Sequence, residues 1–550
     1  YTEISNKVNT FRNMEYDAIV NKIGGFGKYQ KMIIVLLSIA PIFNALTTFA
    51  MNFTFGEHKH RCQTPHDLEG NESLHTHIYF DNTSEVVSDH EYNGTECSIM
   101  INGSETKCSS WVYDQSVFVE TIISKFDVVC DKKFYRAHFL MSHYLGLLVG
   151  SIFTGFLSDT FGRKPLLGFG IALLLISTAV RPLIPSFDVV TIFEFFNGFG
   201  SVIYYIVPYV LATEMVGPDH RVFVSFCVYF SFCFGNYILL LLAFFFRNWE
   251  HLMWAIGVPI GGYIIVLLFF ISESPRWLLS QGKKKKAIAI LQKIAKTNGE
   301  NINLSSEDIT IHKEKNASIF NFMKALMKSK MLCMRLFILA LNWFALSLTY
   351  YGISMNVAKF DGNIYVNFGI SSTVETVACF FCLLGPDRFG RKVFFCSSMV
   401  IGGLTCFCTI FPSLYASESL SWLTITLAMG GKFFTTIAFF FAYLITAELF
   451  PTVLRASALG LCSMSGRIGS ITSAYIGELD SVFSTQFGKA LPLIIFGAVG
   501  LVAGLLAAFA LPETVKTLLP ESIKDAKTLN NNLTHEVEQV QELDSLKETT

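Results

Sequence analysis

Two charged side chains stand where charge is costly. Arg467, in LCSMSGRIGSI, falls about halfway along one apolar run, and Glu375, in SSTVETVACF, about halfway along another. An ionisable group near the bilayer centre costs ~2.5–3.5 kcal/mol on insertion scales, so each is a functional candidate by default. The two could pair with each other. Alternatively they line a water-filled path and read substrate charge. A guanidinium fork holds a carboxylate through two parallel bonds. A carboxylate helped by aromatic faces such as Tyr350, Tyr351 and Tyr205 holds an ammonium. That combination suits a zwitterion and leaves simple cations open. Asn44, in the first apolar run, could bond a substrate or satisfy a neighbouring helix, and Glu194 with Arg181 reads as a structural pair.

A second set of charges occurs twice. The hinge GFLSDTFGRK (Gly155–Lys164) carries Asp159, Arg163 and Lys164, and it returns as GPDRFGRK (Gly385–Lys392) with Asp387 and Arg391. Glu214 and Arg221 in ATEMVGPDHR match Glu448 and Arg455 in TAELFPTVLR, and Glu273 matches Glu513. The pairs keep one order at nearly constant offset, so the chain reads as two similar halves related by an axis along the membrane normal. Arg163 could bridge to Glu214 and Arg391 to Glu448, while Asp159 and Asp387 could face a positive helix N-terminus. We expect this cluster to latch the cytoplasmic side in one state and to break in the other. Exposed bridges are worth only ~0–1 kcal/mol each, which suits a machine whose two states lie close in energy.

The elements that must position these charges are long apolar runs. Hydrophobic residues make up 52% and charged residues 15% of the 550, with a mean hydropathy of +0.46. A soluble chain carries roughly 25% charge. The composition is that of an all-α polytopic membrane protein, and a net charge of −1 offers nothing to nucleic acid. Residues 1–31 are a polar lead-in, 32–51 the first transmembrane helix and 52–134 a polar insert; 138–271 hold helices two to six. A loop with Lys283–Lys286 fills 272–332, helices seven to twelve occupy 333–511, and 512–550 form a tail. The basic loop places itself and both termini in the cytoplasm. The chain begins at Tyr1 rather than Met, so we expect its true start upstream, and no cleavable signal precedes the first run. In the insert, Cys62, Cys97, Cys108 and Cys130 suggest two disulfides with three pairings open. Sequons at Asn71, Asn82, Asn93 and Asn102 argue that the insert is exported and glycosylated.

The hinge resembles that of the major facilitator superfamily, G-x-x-x-D-R-x-G-R-K, although Thr160 stands where that family usually has a basic residue. More narrowly, ESPRWLLSQGK (Glu273–Lys283), TAELFPTVLRASALG (Thr446–Gly460), GGFGKYQK (Gly24–Lys31) and the large insert are similar to the organic cation/carnitine/organic anion transporters. The resemblance covers the chain except its tail. It implies the twelve-helix major facilitator fold and alternating-access transport of small organic ions across the plasma membrane. Na+ or H+ are the candidate coupling ions, and no cofactor or metal is expected. At the position of Arg467 the cation-carrying relatives tend to have Asp, while anion and carnitine carriers have Arg. The resemblance therefore implies organic cations or carnitine-like zwitterions as substrates, with organic anions as the alternative. Many relatives have six cysteines in the insert, so four here imply a reduced disulfide set. A non-transporting sensor on the same fold is the rival reading, and the duplicated hinge charges argue against it. No phosphate-binding glycine loop followed by lysine, nucleophile–base set or metal-ligand cluster points to an enzyme. Oligomeric state is not legible.

Overall fold

The computed structural model describes residues 16–63, 96–101, 104–300, 329–384, 390–415, 421–479 and 486–514. The sequons at Asn71, Asn82, Asn93 and Asn102, and the hinge residue Asp387, lie outside the described residues. The apolar runs fold as helices because a chain in lipid must satisfy its backbone polar groups internally. They are α1 (Lys28–Thr54), α2 (Tyr135–Phe161), α3 (Arg163–Ala179), α4 (Phe187–Met215), α5 (Arg221–Phe245) and α6 (Trp249–Phe270). After the loop come α7 (Lys330–Met355), α8 (Ile364–Leu384), α9 (Arg391–Phe407), α10 (Ser421–Leu449), α11 (Thr452–Ile476) and α12 (Gln486–Ala510). Among the described residues, 11 helices are long and apolar enough to cross a membrane. The remaining one, α11, has the length, at 25 residues, but its serines and its two arginines lower its hydropathy.

The internal repeat is visible in the packing. Helix α1 lies along α5, α2 along α4, and α3 against both α4 and α6. In the second half α7 lies along α11, α8 along α10, and α9 against both α10 and α12. The halves meet through α2 with α11 and α5 with α8, which are themselves symmetry-related pairs.

The hinge is tighter than the sequence suggests. Helix α2 continues through Asp159 to Phe161, and the turn narrows to Gly162 at φ 103°. That left-handed backbone favours glycine, and an added Cβ would lie 2.5 Å from Glu273 Oε2. Glu273 caps α3, accepting from the backbone N–H groups of Arg163 at 3.0 Å and Lys164 at 3.3 Å. The second copy repeats this: Gly390 has φ 91°, and Glu513 accepts from Arg391 N at 3.0 Å and Lys392 N at 3.1 Å. The negative charge facing the positive helix end is thus Glu273, not Asp159. Asp159 belongs to the last turn of α2, and its side chain is 62% exposed.

In the insert, His60–Cys62 pairs antiparallel with Trp111–Tyr113, and Ser98–Ile101 with Ser104–Lys107. Cys62 is joined to Cys108 and Cys97 to Cys130.

Helices α2 and α4 approach until backbones touch. A Cβ on Gly146 would strike the Phe195 carbonyl, and one on Gly198 the His143 carbonyl. Backbone cannot yield as a side-chain tip can, so Gly146→Ala and Gly198→Ala should each cost about 1–3 kcal/mol. Thermal unfolding of the detergent-purified protein checks this, and unchanged melting would contradict the packing.

Candidate functional site

Arg467 projects from α11 into tyrosines supplied by both halves. Its Nη1 lies 3.4 Å from the Tyr351 hydroxyl, and Tyr443 and Tyr144 are within electrostatic reach. The rings of Tyr144 and Tyr351 meet at 5.2 Å, and Tyr205 of α4 is within electrostatic reach of Tyr443 and Tyr351. Among the described residues, Arg467 Nε has no hydrogen-bond partner and no carboxylate pairs with this guanidinium. A half-buried cation among aromatic rings and hydroxyls has the chemistry to receive an anion.

Glu375 does not pair with Arg467. Helix α10 brings Lys432 to 3.2 Å from Glu375 Oε2, with both side chains fully enclosed. Tyr350 donates to Glu375 Oε1 at 2.5 Å, and Lys432 donates to Ser371 at 2.7 Å. The lysine also lies over Tyr350 and, across the boundary between halves, over Phe49 at 5.9 Å. The ammonium expected on Glu375 is therefore present already, and it is the chain's own. Reading the sequence missed Lys432, although a lysine within the apolar run of α10 gives the same kind of signal as Arg467 and Glu375.

Asn44 serves neighbouring helix groups. Its Oδ1 accepts from Thr48 at 3.0 Å and from Ser201 of α4 at 2.8 Å. The pair formed by Arg181 and Glu194 is present, but His143 joins it, with Nδ1 2.7 Å from Glu194 Oε1.

On the hinge side, Arg163 Nη2 reaches Glu214 at 3.1 Å and Nη1 reaches Asp159 at 3.1 Å. Arg391 pairs with Glu448 in the same way. These are the two bridges expected from the sequence, and each joins residues of its own half. Arg221 turns to Asp17 of the preceding helix Tyr16–Lys22 at 2.7 Å, while Arg455 Nε and Nη2 find no hydrogen-bond partner among the described residues. Tyr16 donates to the Glu214 carbonyl at 2.7 Å, and burial, with the adjoining Glu214 charge, drives its phenol well above the usual range.

The halves are joined by ions at the opposite end, beside the insert. Arg136 of α2 donates to Glu478 at 2.8 Å and to the Met355 carbonyl at 2.9 Å. Lys359 reaches Glu478 at 3.0 Å, and Tyr475 contacts Met141 nearby. Burial opposes ionisation of Glu478, but Arg136 and Lys359 outweigh it and hold the carboxyl below its ordinary range. A depressed carboxyl contributes stability above its unfolded value and loses it as pH falls through the folded value. The lock should therefore survive mild acid. Glu478→Gln should loosen it at neutral pH: a cysteine placed at buried Ala137 should react several-fold faster with an impermeant thiol reagent. Equal rates would mean that Glu478 does not hold the halves together. Sequence reading passed over these residues because charges at helix ends are ordinary.

Two symmetry-related helix bundles, with Arg467 and the Glu375–Lys432 pair on their helices and an ion pair joining them at one end, are the architecture of the major facilitator class. The family model for sugar (and other) transporters matches residues 39–523. An organic cation transporter protein of Drosophila melanogaster is 32% identical over 534 residues, covering 94% of this chain and 95% of that protein. The organic cation/carnitine transporter 2 of Homo sapiens is 29% identical over 536 residues, with 92% and 93% covered. The inward-open xylose transporter XylE from E. coli superposes with a TM-score of 0.60 at 16% identity, covering 91% of this chain and 99% of XylE. That likeness shows the fold alone. The chain belongs to the sugar (and other) transporter family, alongside organic cation transporters and members of solute carrier family 22.

Proposed function

We propose that this protein is a secondary transporter of small organic ions, and that its preferred substrate is a carnitine-like zwitterion whose carboxylate is held by Arg467. The observation that carries the reading is charge balance along the path. Glu375 is matched by Lys432, and Arg467 is matched by no carboxylate among the described residues. The path thus presents one net positive charge, and a substrate carboxylate completes it. The faces of Tyr351, Tyr443, Tyr144 and Tyr205 would receive the quaternary ammonium. The insert would lie outside the cell and carry the glycans, with both termini in the cytoplasm of a plasma-membrane protein. A second reading, an organic anion carrier, is favoured by the same balance, because Glu375 is not available to a cation.

Uptake of a quaternary cation, a carnitine-like zwitterion and an aromatic carboxylate into cells expressing the chain tests this. The zwitterion should accumulate fastest. Uptake of the cation alone would defeat the reading, and preference for the aromatic carboxylate would replace it with the second.

A further inference from the structure

We infer that His143, Glu194 and Arg181 form a proton-binding site that couples proton entry to entry of the substrate carboxylate. The inference rests on the proposed reading of Arg467. All three side chains are buried within the first half, 0%, 0% and 4% exposed. Glu194 receives Arg181 on one oxygen, and Asn197 at 2.9 Å with His143 at 2.7 Å on the other. Arg181 alone balances the charge of Glu194, so a bracket for that carboxylate needs no titratable ring. Yet a ring is there, and its remaining nitrogen, Nε2, is buried without a hydrogen-bond partner among the described residues, as is Arg181 Nη2. With Nδ1–H donating to Glu194, Nε2 is a lone pair open to a proton. Histidine is the side chain whose charge ordinarily changes between pH 5 and 8.

The site is placed to sense both the lock and the substrate. Arg136 lies two turns from His143 along α2, about 10.5 Å towards the insert end and on the same face. Opening the lock would therefore bring the outer solution towards His143. On the other side, Tyr144 touches Tyr351, whose hydroxyl is 3.4 Å from Arg467. Within the half, His143 meets Glu194 and the Tyr144 ring at 5.7 Å, with Arg181 and Tyr204 beyond Glu194. Tyr351, Arg467 and Arg136 are within electrostatic reach of Tyr144, the ring next to His143, and Arg136 is paired with Glu478. With His143 neutral the triad carries no net charge, and a proton makes it +1, one Tyr144–Tyr351 contact away from the cationic Arg467. A substrate carboxylate on Arg467 offsets that repulsion. Linkage is reciprocal, so a proton on His143 must tighten the carboxylate by the same factor.

The test is kinetic, on the full chain in proteoliposomes loaded with a pH-sensitive dye. Lowering the outer pH from about 7.5 to about 6, where a carboxylate stays ionised, should lower the KM for the zwitterion about fivefold. Each addition of substrate should acidify the lumen. His143→Asn keeps an N–H for Glu194 but cannot titrate; its KM should not move with pH and its lumen should not acidify, and His143→Gln is the second such variant. His138→Gln, at the exposed neighbouring histidine beside Tyr475, should behave like the native chain. Glu478 is held ionised by its cations and does not supply the effect. Transport of the zwitterion with pH-independent KM and no acidification would overturn this inference and leave the Arg467 reading standing. The same profile surviving in both His143 variants would overturn it too. No carboxylate transport at either pH would overturn both.

Discussion

Replacing Arg467 by Gln should raise the KM for the zwitterion on the order of a hundredfold while the protein still reaches the cell surface. A charge-assisted bidentate bond is worth about 1.5–3 kcal/mol, and the upper end applies where both partners are shielded from water. Each 1.4 kcal/mol is a factor of about ten in affinity. Arg467→Lys should recover only part of the loss, since a point charge cannot reproduce the planar fork. Surface expression should hold, because the guanidinium forms no ion pair among the described residues and Tyr351 is its hydroxyl contact at 3.4 Å. The check is concentration-dependent uptake normalised to surface protein. Equal KM values in native and Gln forms would mean that the substrate carboxylate lies elsewhere.

The second large effect concerns stability. Glu375 and Lys432 are enclosed, and each depends on the other for its charge to be tolerated. Removing one member of a buried pair typically costs about 3–5 kcal/mol, while removing both is often close to neutral. Glu375→Gln and Lys432→Met should therefore each lower thermal stability sharply, and the double variant should recover most of the loss. Additive losses would show that the two act independently and that the 3.2 Å contact contributes little.

Much of the architecture was legible because lipid leaves the chain few choices. Each predicted apolar run is a helix, and the duplicated hinge and Glu–Arg motifs anticipate the repeated packing of the halves. The cost of intramembrane charge also singled out Arg467 and Glu375. Partnership was not legible. Nothing local in SSTVETVACF says that α10 will deliver Lys432 to Glu375, because that proximity arises only when helices distant in sequence pack. The same holds for the cysteines, whose spacing leaves three pairings open while the structure joins Cys62 to Cys108 and Cys97 to Cys130. The cap on α3 was not legible either: α2 runs past Asp159 to Phe161, and the carboxylate on the first N–H groups of α3 is that of Glu273, more than one hundred residues later. The lock of Arg136, Lys359 and Glu478 was missed because each, taken singly, is an unremarkable charge near a helix end.

The most direct test of the central claim uses one substrate in two charge states. Purified protein in proteoliposomes would be preloaded with a carnitine-like zwitterion, and its exchange compared with that of its carboxyl methyl ester, which keeps the ammonium and loses the negative charge. If Arg467 reads the carboxylate, the native protein exchanges the zwitterion and excludes the ester, and Arg467→Asp reverses the preference. Equal exchange of ester and zwitterion by the native protein would contradict the account.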